Sequence, residues 1–373
     1  MPSLFILSSS FLNAHRAEEE AQMRILGHPI RELIMQAATG PSWTILQDGL
    51  DTCRGDLLVV HEAAAGLDEE MLYRFYSDEQ RVLTDYDGHP AAVKVSEQER
   101  KLLQDAFADD FDTFFEAWMD VAKPDDADPV IDELFLDIPV VNSFLTLQLA
   151  EKHLAQKICY CWMEKGVRID EPTLTRIAPE VIIGKGTWIR GAVRIMGKTT
   201  VGEHCLITEG SEITDSAIAD NVTIRSSIIE ESVMAKASNI GPFSHLRPHA
   251  IIGENVHIGN FVEVKKASLG EGTKAGHLAY IGDAEVGKDV NISCGVIFCN
   301  YDGKNKHKAI VGDHVFIGSN ANLVAPVEVE DESFIAAGST ITKAVDKGAL
   351  AVERAEQRNI PGYVARRKEK GLL

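Results

Sequence analysis

The sequence predicts a parallel β-helix in its C-terminal half, preceded by a small α/β domain and one long helix. Aliphatic residues recur at every sixth position in three registers, a period that fits neither an α-helix nor an alternating strand. A period of six is typical of hexapeptide repeats, in which three strand-and-turn units form one triangular coil. The registers are Ile177, Ile183, Ile189, Ile195, Val201, Ile207, Ile213; Ile240, Leu246, Ile252, Ile258, Val264; and Val311, Ile317, Leu323, Val329, Ile335, Ile341.

The repeat region runs from about Ile177 to Val345, which predicts nine or ten coils at about 18 residues each. Glycine often follows the aliphatic residue, as in Ile183-Gly184 and Ile258-Gly259, and we expect it to serve tight corners with positive φ. Residues 293–309 (SCGVIFCNYDGKNKHKA) break the period. We expect them to form a loop outside the prism, where functional residues tend to concentrate.

Residues 1–170 contain no repeat and predict a small α/β domain followed by a linker. Residues 57–64 (LLVVHEAA) predict a buried strand followed by a loop, and residues 80–95 predict a hairpin with Asp-Gly at its turn. Residues 67–76 predict a helix with acidic residues in its first turn. Residues 138–167 predict a strand end and then one long helix, which Gly166 terminates.

These patterns divide the chain into four segments. We predict a small α/β domain at residues 1–137, a linker with the long helix at 138–170, the β-helix at 171–347 and a C-terminal tail at 348–373. Because the coils stack in one dimension, both ends of the β-helix need caps.

The chain has 37 basic and 57 acidic residues, a formal net charge of −20. This charge argues against nucleic acid and anionic membranes as partners. No apolar stretch approaches the roughly 18 residues that span a bilayer, and no basic residues precede the N-terminal apolar run. The six cysteines form no CxxC pair, so we expect reduced thiols, a cytoplasmic location and no zinc site.

Two groups of N-terminal residues are candidates for chemistry. The acidic residues between Asp105 and Asp137 are candidates for a metal cluster, but such a run is more typical of a solvated helix face followed by a polar loop. Four histidines are candidate general bases, and we interpret them as structural because none adjoins a nucleophile. They are His15, His28, His61 and His89.

A set of motifs in the repeat region resembles one enzyme family. They are IGPFSHLRPHA (240–250), IGNFVEVKKASLG (258–270), KAGHLAYIGDAEVG (274–287), CNYDGKNKHK (299–308), VFIGSNANLVAPV (315–327), IAAGSTIT (335–342) and LAVERAEQRNIPGY (350–363). In order and spacing, residues 140–370 resemble the bifunctional N-acetylglucosamine-1-phosphate uridyltransferase/glucosamine-1-phosphate N-acetyltransferase of bacterial cell-wall precursor synthesis. The resemblance implies a left-handed β-helix, a homotrimer with active sites between subunits, acetyl-coenzyme A as cosubstrate, and no metal requirement for acetyl transfer.

The resemblance assigns two catalytic groups. His277, in the GHL-x-Y motif, matches the family's general base. An ammonium group cannot attack a thioester because a proton occupies its lone pair, and a base of near-neutral pKa must remove that proton. The backbone N–H of Cys294 matches the donor that stabilises the oxyanion. Without the motifs, a lone histidine on a β-helix is more typical of a surface or trimer contact.

The remaining site residues are assigned from the family positions that they match. Those that match contacts to the sugar phosphate are Arg247, Lys265, Tyr280, Asn291, Lys306 and Glu263, with Arg247 suited to a two-pronged phosphate contact. Those that match contacts near the amine or to acetyl-coenzyme A are Asn300, Tyr301, Ser319, Ala337 and Arg354. Solvated surface charges, turn roles for the two asparagines and a solvated basic tail at 364–370 are the alternatives.

The chain departs from the family pattern in two places. Residues 291–295 read NISCG where the family usually reads NIGAG, so Ser293 and Cys294 are larger than the family's residues. The segment 1–137 lacks the family's glycine-rich nucleotide loop and its metal-binding aspartate after a buried strand, although Asn142 matches the second metal-binding position. Residues 28–38 faintly resemble a helix of that domain. We interpret residues 1–137 as a degenerate nucleotidyltransferase-like domain without uridyltransferase activity.

The favoured function is acetyl-coenzyme A-dependent N-acetylation of glucosamine 1-phosphate. A different amino-sugar phosphate or nucleotide-linked amino sugar as acceptor is a second hypothesis, motivated by Ser293 and Cys294. A non-catalytic trimeric scaffold is a third. A zinc site of three histidines is a fourth, although the histidine spacings show no metal-binding pattern.

Overall fold

The structure is a computed structural model, and it describes residues 3–7, 24–25, 28–29, 44–45, 57–61, 64, 69–77, 81–85, 89–103, 107, 110–122 and 140–372. The chain divides into two compact units, residues 1–181 with 190–198 and residues 182–189 with 199–373. The described helices are α1 Glu69–Ser77, α2 Glu97–Leu102, α3 Phe111–Ala122, α4 Phe144–Glu164 and α5 Tyr363–Glu369. None of these described helices is long and apolar enough to cross a membrane.

The first unit contains a mixed sheet. The strands described before residue 140 are β1 Ser3–Leu7, β2 Arg24–Ile25, β3 His28–Pro29, β4 Thr44–Ile45, β5 Leu57–His61, β6 Val82–Thr84 and β7 Pro90–Val95. The sheet order is β4-β1-β5-β7-β6, with parallel pairs on β1 and antiparallel pairs on β7. The strand predicted at residues 57–64, the helix at 67–76 and the hairpin at 80–95 are confirmed, and the turn at Asp87-Gly88 lies outside the described residues.

Strand β5 is buried on both faces, which explains its uninterrupted apolar sequence. Leu58 and Val60 belong to a core cluster that includes Phe75 of α1. Leu57 and Val59 belong to a second cluster with aromatic residues of α3, among them Trp118. Alternate residues of a strand face opposite sides of the sheet, so each side of β5 packs against its own helix.

The long helix α4 lies where the sequence predicts it and ends at the predicted glycine, but the described residues just before it, 140–143, do not form the expected strand end. Ser143 is its N-cap and forms a capping box with Thr146, which satisfies backbone donors of the first turn. Lys165 is the C-cap, and Gly166 follows with a φ of 91°. Glycine adopts this left-handed conformation without steric cost, so the helix terminates there. Asn142, the predicted match to a metal-binding position, accepts a hydrogen bond from the Thr146 hydroxyl at 3.2 Å.

Two N-terminal histidines have structural surroundings. His61 is buried, stacks on Phe111 at 4.7 Å and lies 3.6 Å from Asp112. His89 Nδ1 lies 3.2 Å from the buried carboxylate of Asp85. His28 lies in β3, and His15 lies outside the described residues.

The described part of the acidic run forms helix α3. Phe111, Phe114 and Trp118 are buried on one face, and Asp112 and Asp120 are exposed on the other. The interpretation as a solvated helix face therefore holds for residues 111–122. The helix-like segment at 28–38 differs, because its described residues, His28 and Pro29, form strand β3.

A parallel β-helix of about ten turns follows, which confirms the predicted fold class. Every residue of the three hexapeptide registers is buried. Its strands are β8 Arg168–Ile169, β9 Arg176–Ile177, β10 Ile182–Ile183, β11 Trp188–Ile189, β12 Arg194–Met196, β13 Thr200–Val201, β14 Leu206–Ile207, β15 Glu212–Thr214, β16 Ala217–Ile218, β17 Thr223–Ile224, β18 Ile228–Glu230, β19 Val233–Met234, β20 Asn239–Ile240, β21 His245–Leu246, β22 Ile251–Ile252, β23 His257–Asn260, β24 Glu263–Leu269, β25 Lys274–His277, β26 Tyr280–Val286, β27 Asn291–Ile292, β28 Ile297–Cys299, β29 Ala309–Val311, β30 Phe316–Ile317, β31 Asn322–Val324, β32 Val327–Val329, β33 Phe334–Ile335, β34 Thr340–Ile341 and β35 Leu350–Ala351.

Within the second unit the strands form three columns of parallel pairs, here called sides 1, 2 and 3. Side 1 contains β11, β14, β17, β20, β23, β25, β27, β30, β33 and β35. Side 2 contains β15, β18, β21, the first halves of β24 and β26, β28, β31 and β34. Side 3 contains β10, β13, β16, β19, β22, the second halves of β24 and β26, β29 and β32.

The glycines after the aliphatic positions have a different role from the one expected. Gly184 and Gly259 do not have positive φ, so that expectation is wrong. A Cβ on Gly259 would lie 1.8 Å from the carbonyl oxygen of Gly276, and a Cβ on Gly184 would lie 2.5 Å from the backbone of Gly202. These positions need glycine because the backbone of the next coil is too close for a side chain.

The interruption at residues 293–309 is shorter than expected. Residues 297–299 form β28, which pairs with β26 and β31, and Phe298 is fully buried. Only residues 300–308 leave the coil before β29 resumes it. The expectation that residues 293–299 lie outside the prism is therefore wrong, because Val296 and Phe298 fill the interior like repeat residues.

Candidate active site

A line of residues runs along the corner between sides 1 and 2, one residue for each coil. It contains His277, Cys294, Ser319 and Ala337, and we call it the corner column. Backbone pairing before and after each residue aligns the residues of the column. Ala275 pairs with Ile292, and the Gly295 N–H donates to Leu278 O, so Cys294 lies next to His277 in the adjacent coil. The Asn320 N–H donates to Cys294 O, and the Gly338 N–H donates to Ser319 O.

The corner column continues to the C-terminal segment. The Arg354 guanidinium donates a 3.0 Å hydrogen bond to the carbonyl oxygen of Ala337. Parallel strands lie about 4.8 Å apart, so three steps from His277 to Ala337 cover about 14 Å. The column is therefore an extended track along the outer edge of the β-helix, and it combines all the predicted acetyl-coenzyme A contacts except those at residues 300 and 301.

His277 is exposed at the end of β25, where its imidazole can reach a ligand. Its Nδ1 lies 2.7 Å from the side-chain oxygen of Asn260, its cross-strand partner on β23. Since the amide oxygen is an acceptor, this contact favours the neutral tautomer with the proton on Nδ1 and the lone pair on Nε2. A general base that meets its substrate at Nε2 needs this tautomer.

Cys294 is a free, half-buried thiol. Its carbonyl oxygen accepts the Asn320 N–H at 2.8 Å. Within the described chain its own backbone N–H donates no hydrogen bond, as an oxyanion donor requires. The neighbouring Ser293 hydroxyl accepts a 3.1 Å hydrogen bond from Asn291.

Three cations meet beside side 2. Arg247 and Lys306, in that order, lower the pKa of the Lys265 ammonium through their positive charges. Arg247 also donates a 2.8 Å hydrogen bond to Glu263, which raises the pKa of the guanidinium. Mutual repulsion among three cations in a protein of net charge −20 is relieved by a bound anion, so this cluster has the chemistry of a phosphate site.

Glu263 and Tyr280 begin the strands that connect this cluster to the corner column. They are cross-strand partners, and Tyr280 follows His277 by three residues. Lys265 lies two residues beyond Glu263, about 7 Å along the strand. A ligand lying across side 2 can therefore contact the cations at one end and His277 at the other.

The loop at residues 300–308, here called the 300s loop, is ordered by Asp302. The Asp302 carboxylate accepts backbone N–H groups of Lys304 at 2.8 Å and Asn305 at 2.6 Å, and its other oxygen lies 2.7 Å from His307 Nε2. These donors hold the pKa of Asp302 well below its usual range. The arrangement holds Lys306 beside Lys265.

Asn300 and Tyr301 differ in exposure. Asn300 is only 7% exposed, and its amide group donates to Asp283 at 2.5 Å and to the Tyr280 hydroxyl at 3.3 Å. It therefore supports Tyr280 from within the chain. Tyr301 is 60% exposed and is available for a ligand, with its hydroxyl donating to Gly303 O at 2.7 Å.

The structure brings together most, but not all, of the predicted site residues. The cation cluster, Glu263 and Tyr280 lie on or beside side 2, and the corner column adjoins them. Asn291 lies on side 1, opposite Lys274 in the neighbouring strand. In one chain it therefore faces a different side from Arg247 and Lys265.

Sequence reasoning missed three supporting residues: Asn260, Asp283 and Asp302. Asn260 lies within the NFVE segment and Asp302 within the NYDG segment, so the family motifs contained them. Only the structure reveals the cross-coil contacts of Asn260 to His277 and of Asp283 to Asn300, and the contact of Asp302 to His307 within the 300s loop. Within the described ranges, no three His, Cys, Asp or Glu side chains are grouped so as to hold a metal ion.

Comparison with known proteins identifies relatives of the repeat region. The family described as GMPPB C-terminal domain matches residues 177–269, and the bacterial transferase hexapeptide family (six repeats) matches residues 308–343. The bifunctional protein GlmU of Thermodesulfovibrio yellowstonii is 49% identical over 230 residues, 61% of this chain and 51% of that protein. GlmU of Enterococcus faecalis is 52% identical over 223 residues, 60% of this chain and 49% of that protein.

A solved structure of Francisella novicida UDP-N-acetylglucosamine acyltransferase is 17% identical, with a TM-score of 0.32, and covers 55% of this chain and 74% of that chain. This chain spans about half the length of the curated relatives it matches. The similarity to GlmU proteins extends over about 60% of this chain at about 50% identity, and it confirms the family resemblance that the motifs of the repeat region predicted.

Proposed function

We propose that this chain transfers the acetyl group of acetyl-coenzyme A to the amine of glucosamine 1-phosphate, giving N-acetylglucosamine 1-phosphate and coenzyme A. The observation that carries the proposal is the corner column: an exposed histidine whose Nδ1 lies against an amide oxygen begins a track that ends at Arg354, and a cluster of three cations lies beside it. A base, a donor for an oxyanion and a phosphate site are the groups that this reaction needs.

The proposed reaction begins with proton removal. Nε2 of His277 takes a proton from the acceptor amine as the nitrogen attacks the thioester carbonyl carbon. The carbonyl oxygen becomes an oxyanion, which the Cys294 backbone N–H stabilises. When the intermediate collapses, the carbon–sulfur bond breaks and coenzyme A leaves as a thiolate, which takes the proton from His277. No metal takes part in these steps.

Arg247, Lys265 and Lys306 hold the phosphate of the acceptor in this proposal. Glu263 and Tyr280 contact the sugar, and Ser319, Ala337, Arg354 and Tyr301 contact acetyl-coenzyme A. Charge-assisted hydrogen bonds to a phosphate are roughly twice as strong as neutral ones, so the cations supply most of the acceptor affinity.

A homotrimer with sites between subunits fits two features of the chain. Asn291 and Lys265 face different sides, so a second copy is needed to place both against one acceptor. Phe243 and Phe261 stack at 5.7 Å, are more than half exposed, and have φ values of 60° and 56°. Bulky residues rarely adopt positive φ, and contact with another subunit would offset this strain. Sedimentation at the mass of one 40.9 kDa chain would contradict the trimer.

The cytosol is the proposed location, since acetyl-coenzyme A and reduced thiols occur there. The five cysteines within the described ranges are free. Uridylyl transfer is not part of the proposed activity, because residues 1–40 lack a glycine-rich loop with Arg and Lys for the nucleotide phosphates. A nucleotide-linked amino sugar or another amino-sugar phosphate is the second candidate acceptor, favoured by Ser293 and Cys294 in the acetyl site.

The test is a thiol-release assay with acetyl-coenzyme A and glucosamine 1-phosphate, beside the variant His277→Ala. Loss of the general base should lower kcat by about 100-fold to 10,000-fold with acceptor KM nearly unchanged. A parallel reaction with UTP and magnesium should release no pyrophosphate. Failure of the wild-type protein to release thiol would overturn the acceptor assignment, and a panel of amino-sugar phosphates and nucleotide amino sugars then tests the second candidate.

A further inference from the structure

The base His277 has one side-chain partner across the coils, the amide of Asn260. The distance from His277 Nδ1 to Asn260 Oδ1 is 2.7 Å, and the two residues are a registered pair on β23 and β25. The backbone adds a second link, because the Leu278 N–H donates to Asn260 O at 3.1 Å. Asn260 is therefore held in place by the same ladder that holds His277.

A neutral imidazole has two tautomers, and the hydrogen bond at one nitrogen determines which nitrogen is free. An amide oxygen next to Nδ1 favours the tautomer with the proton on Nδ1. The Nε2 lone pair is then free for the acceptor amine. If the proton were on Nε2, that nitrogen would be a donor and could not take a proton from the acceptor amine.

We infer that Asn260 is a positioning residue for acetyl transfer, which fixes the tautomer and ring orientation of His277 through the Nδ1–H hydrogen bond. The inference rests on the proposed function, since His277 acts as a base only if the reaction takes place. Asn260 itself touches neither the acceptor nor the thioester in this account.

A neighbouring pair provides a matched control. His257 Nδ1 lies 2.5 Å from Asn239 Oδ1, also on cross-strand partners of side 1. His257 is at the start of β23, three residues before Asn260. Asn239→Ala therefore removes the same kind of hydrogen bond from a histidine outside the corner column. The titratable groups near His257 are His277 and Lys274. Burial lowers the pKa of His257 most, and these two neighbours lower it further.

The first experiment compares kinetic constants of Asn260→Ala, Asn260→Asp and Asn239→Ala. Loss of an orienting partner typically costs about 10-fold to 100-fold, so Asn260→Ala should lower kcat by that factor and leave both KM values within about twofold. Asn239→Ala should keep wild-type kcat. An equal loss in both variants, or no loss in Asn260→Ala, overturns the inference.

The pH profile separates orientation from general damage to the fold. In Asn260→Asp, a carboxylate beside the ring stabilises the imidazolium, so the acid limb of kcat should move to higher pH by about one unit. Above that limb, kcat should recover well beyond that of Asn260→Ala, because the acceptor at Nδ1 is restored. An unshifted acid limb with no recovery overturns the inference.

A second readout does not need turnover. Nitrogen-15 NMR of histidine-labelled protein, with His277 assigned by the His277→Ala spectrum, reports which ring nitrogen is protonated. The wild-type signal should show a protonated Nδ1 and a free Nε2, and Asn260→Ala should shift the population towards the other tautomer. A wild-type signal with Nε2 protonated overturns the inference. Absence of thiol release together with the expected tautomer would overturn only the proposed function.

Discussion

The spacing between coils beneath the site can be tested at Gly259, the residue before Asn260. A Cβ on Gly259 would lie 1.8 Å from Gly276 O, 2.6 Å from Gly276 C and 3.0 Å from Gly276 Cα. Carbon atoms in contact prefer separations of about 3.5–4.0 Å, so the two coils must move apart by more than an ångström. All three nearest atoms are backbone atoms, which cannot rotate away.

The expected cost of Gly259→Ala combines two effects. Overpacking a well-packed interior costs about 1–3 kcal/mol. Separation of the coils also strains the Leu278 N–H to Asn260 O bond and the Ser244 hydroxyl bond to Gly259 O, each worth about 1 kcal/mol. A total of about 3–5 kcal/mol corresponds to a fall in Tm of about 6–20 °C for a unit of this size.

Gly276→Ala is the matched control. It is the equivalent glycine one coil later, and a Cβ there meets no atom within 4 Å. Without strain, Gly→Ala stabilises by about 0.4–1 kcal/mol through the unfolded state, so its Tm should stay level or rise slightly. Thermal unfolding followed by circular dichroism measures both variants. If Gly259→Ala and Gly276→Ala unfold within about 2 °C of each other (roughly 1 kcal/mol), the steric argument for the repeat glycines is refuted.

Two further predictions concern the acceptor site. Arg247→Gln should raise acceptor KM by about 10-fold or more, since hydrogen bonds to charged groups are worth about 1.5–3 kcal/mol. Because Arg247 lowers the pKa of Lys265, the acceptor KM of the wild-type protein should begin to rise at a lower alkaline pH than that of this variant. Lys288→Gln is the control, and identical alkaline pH profiles of wild type and Arg247→Gln would contradict the cation cluster. Asp302→Ala should release the 300s loop and raise acceptor KM without changing the KM for acetyl-coenzyme A. In the wild-type protein the pKa of Asp302 lies below the ordinary carboxyl value, so the loop should stay ordered from about pH 7 down past about pH 4 and loosen only as pH falls through the lowered pKa. Equal changes in both KM values would count against this role of Asp302.

The fold was predictable because the repeat appears directly in the amino-acid sequence. An aliphatic residue at every sixth position can be buried by only one regular arrangement, and all eighteen register positions are buried. The helix α4 was also predictable, since its capping residues Ser143 and Gly166 are local signals.

Two expectations failed, one because it overlooked a contact between coils and one because the repeat continues further than expected. Gly259 is needed because the Gly276 carbonyl of the next coil lies against it, and no turn conformation at Gly259 reveals this. Residues 297–299 remain in the coil because Phe298, six residues after the buried Ile292, fills the interior, and β28 pairs with strands of the adjacent coils.

By itself, the sequence determined the β-helix, and its motifs named the candidate base and the cations of the candidate phosphate site. The tertiary structure decided which of these residues meet. His277, Cys294, Ser319 and Ala337 are unequally spaced along the chain, so no constant interval predicts their alignment. The 300s loop and the short coils change the spacing along the chain while the backbone ladder keeps the coils in register. The β-ladder therefore places Asn260 against His277, and the Asp302 hydrogen bonds within the 300s loop hold Lys306 beside Lys265.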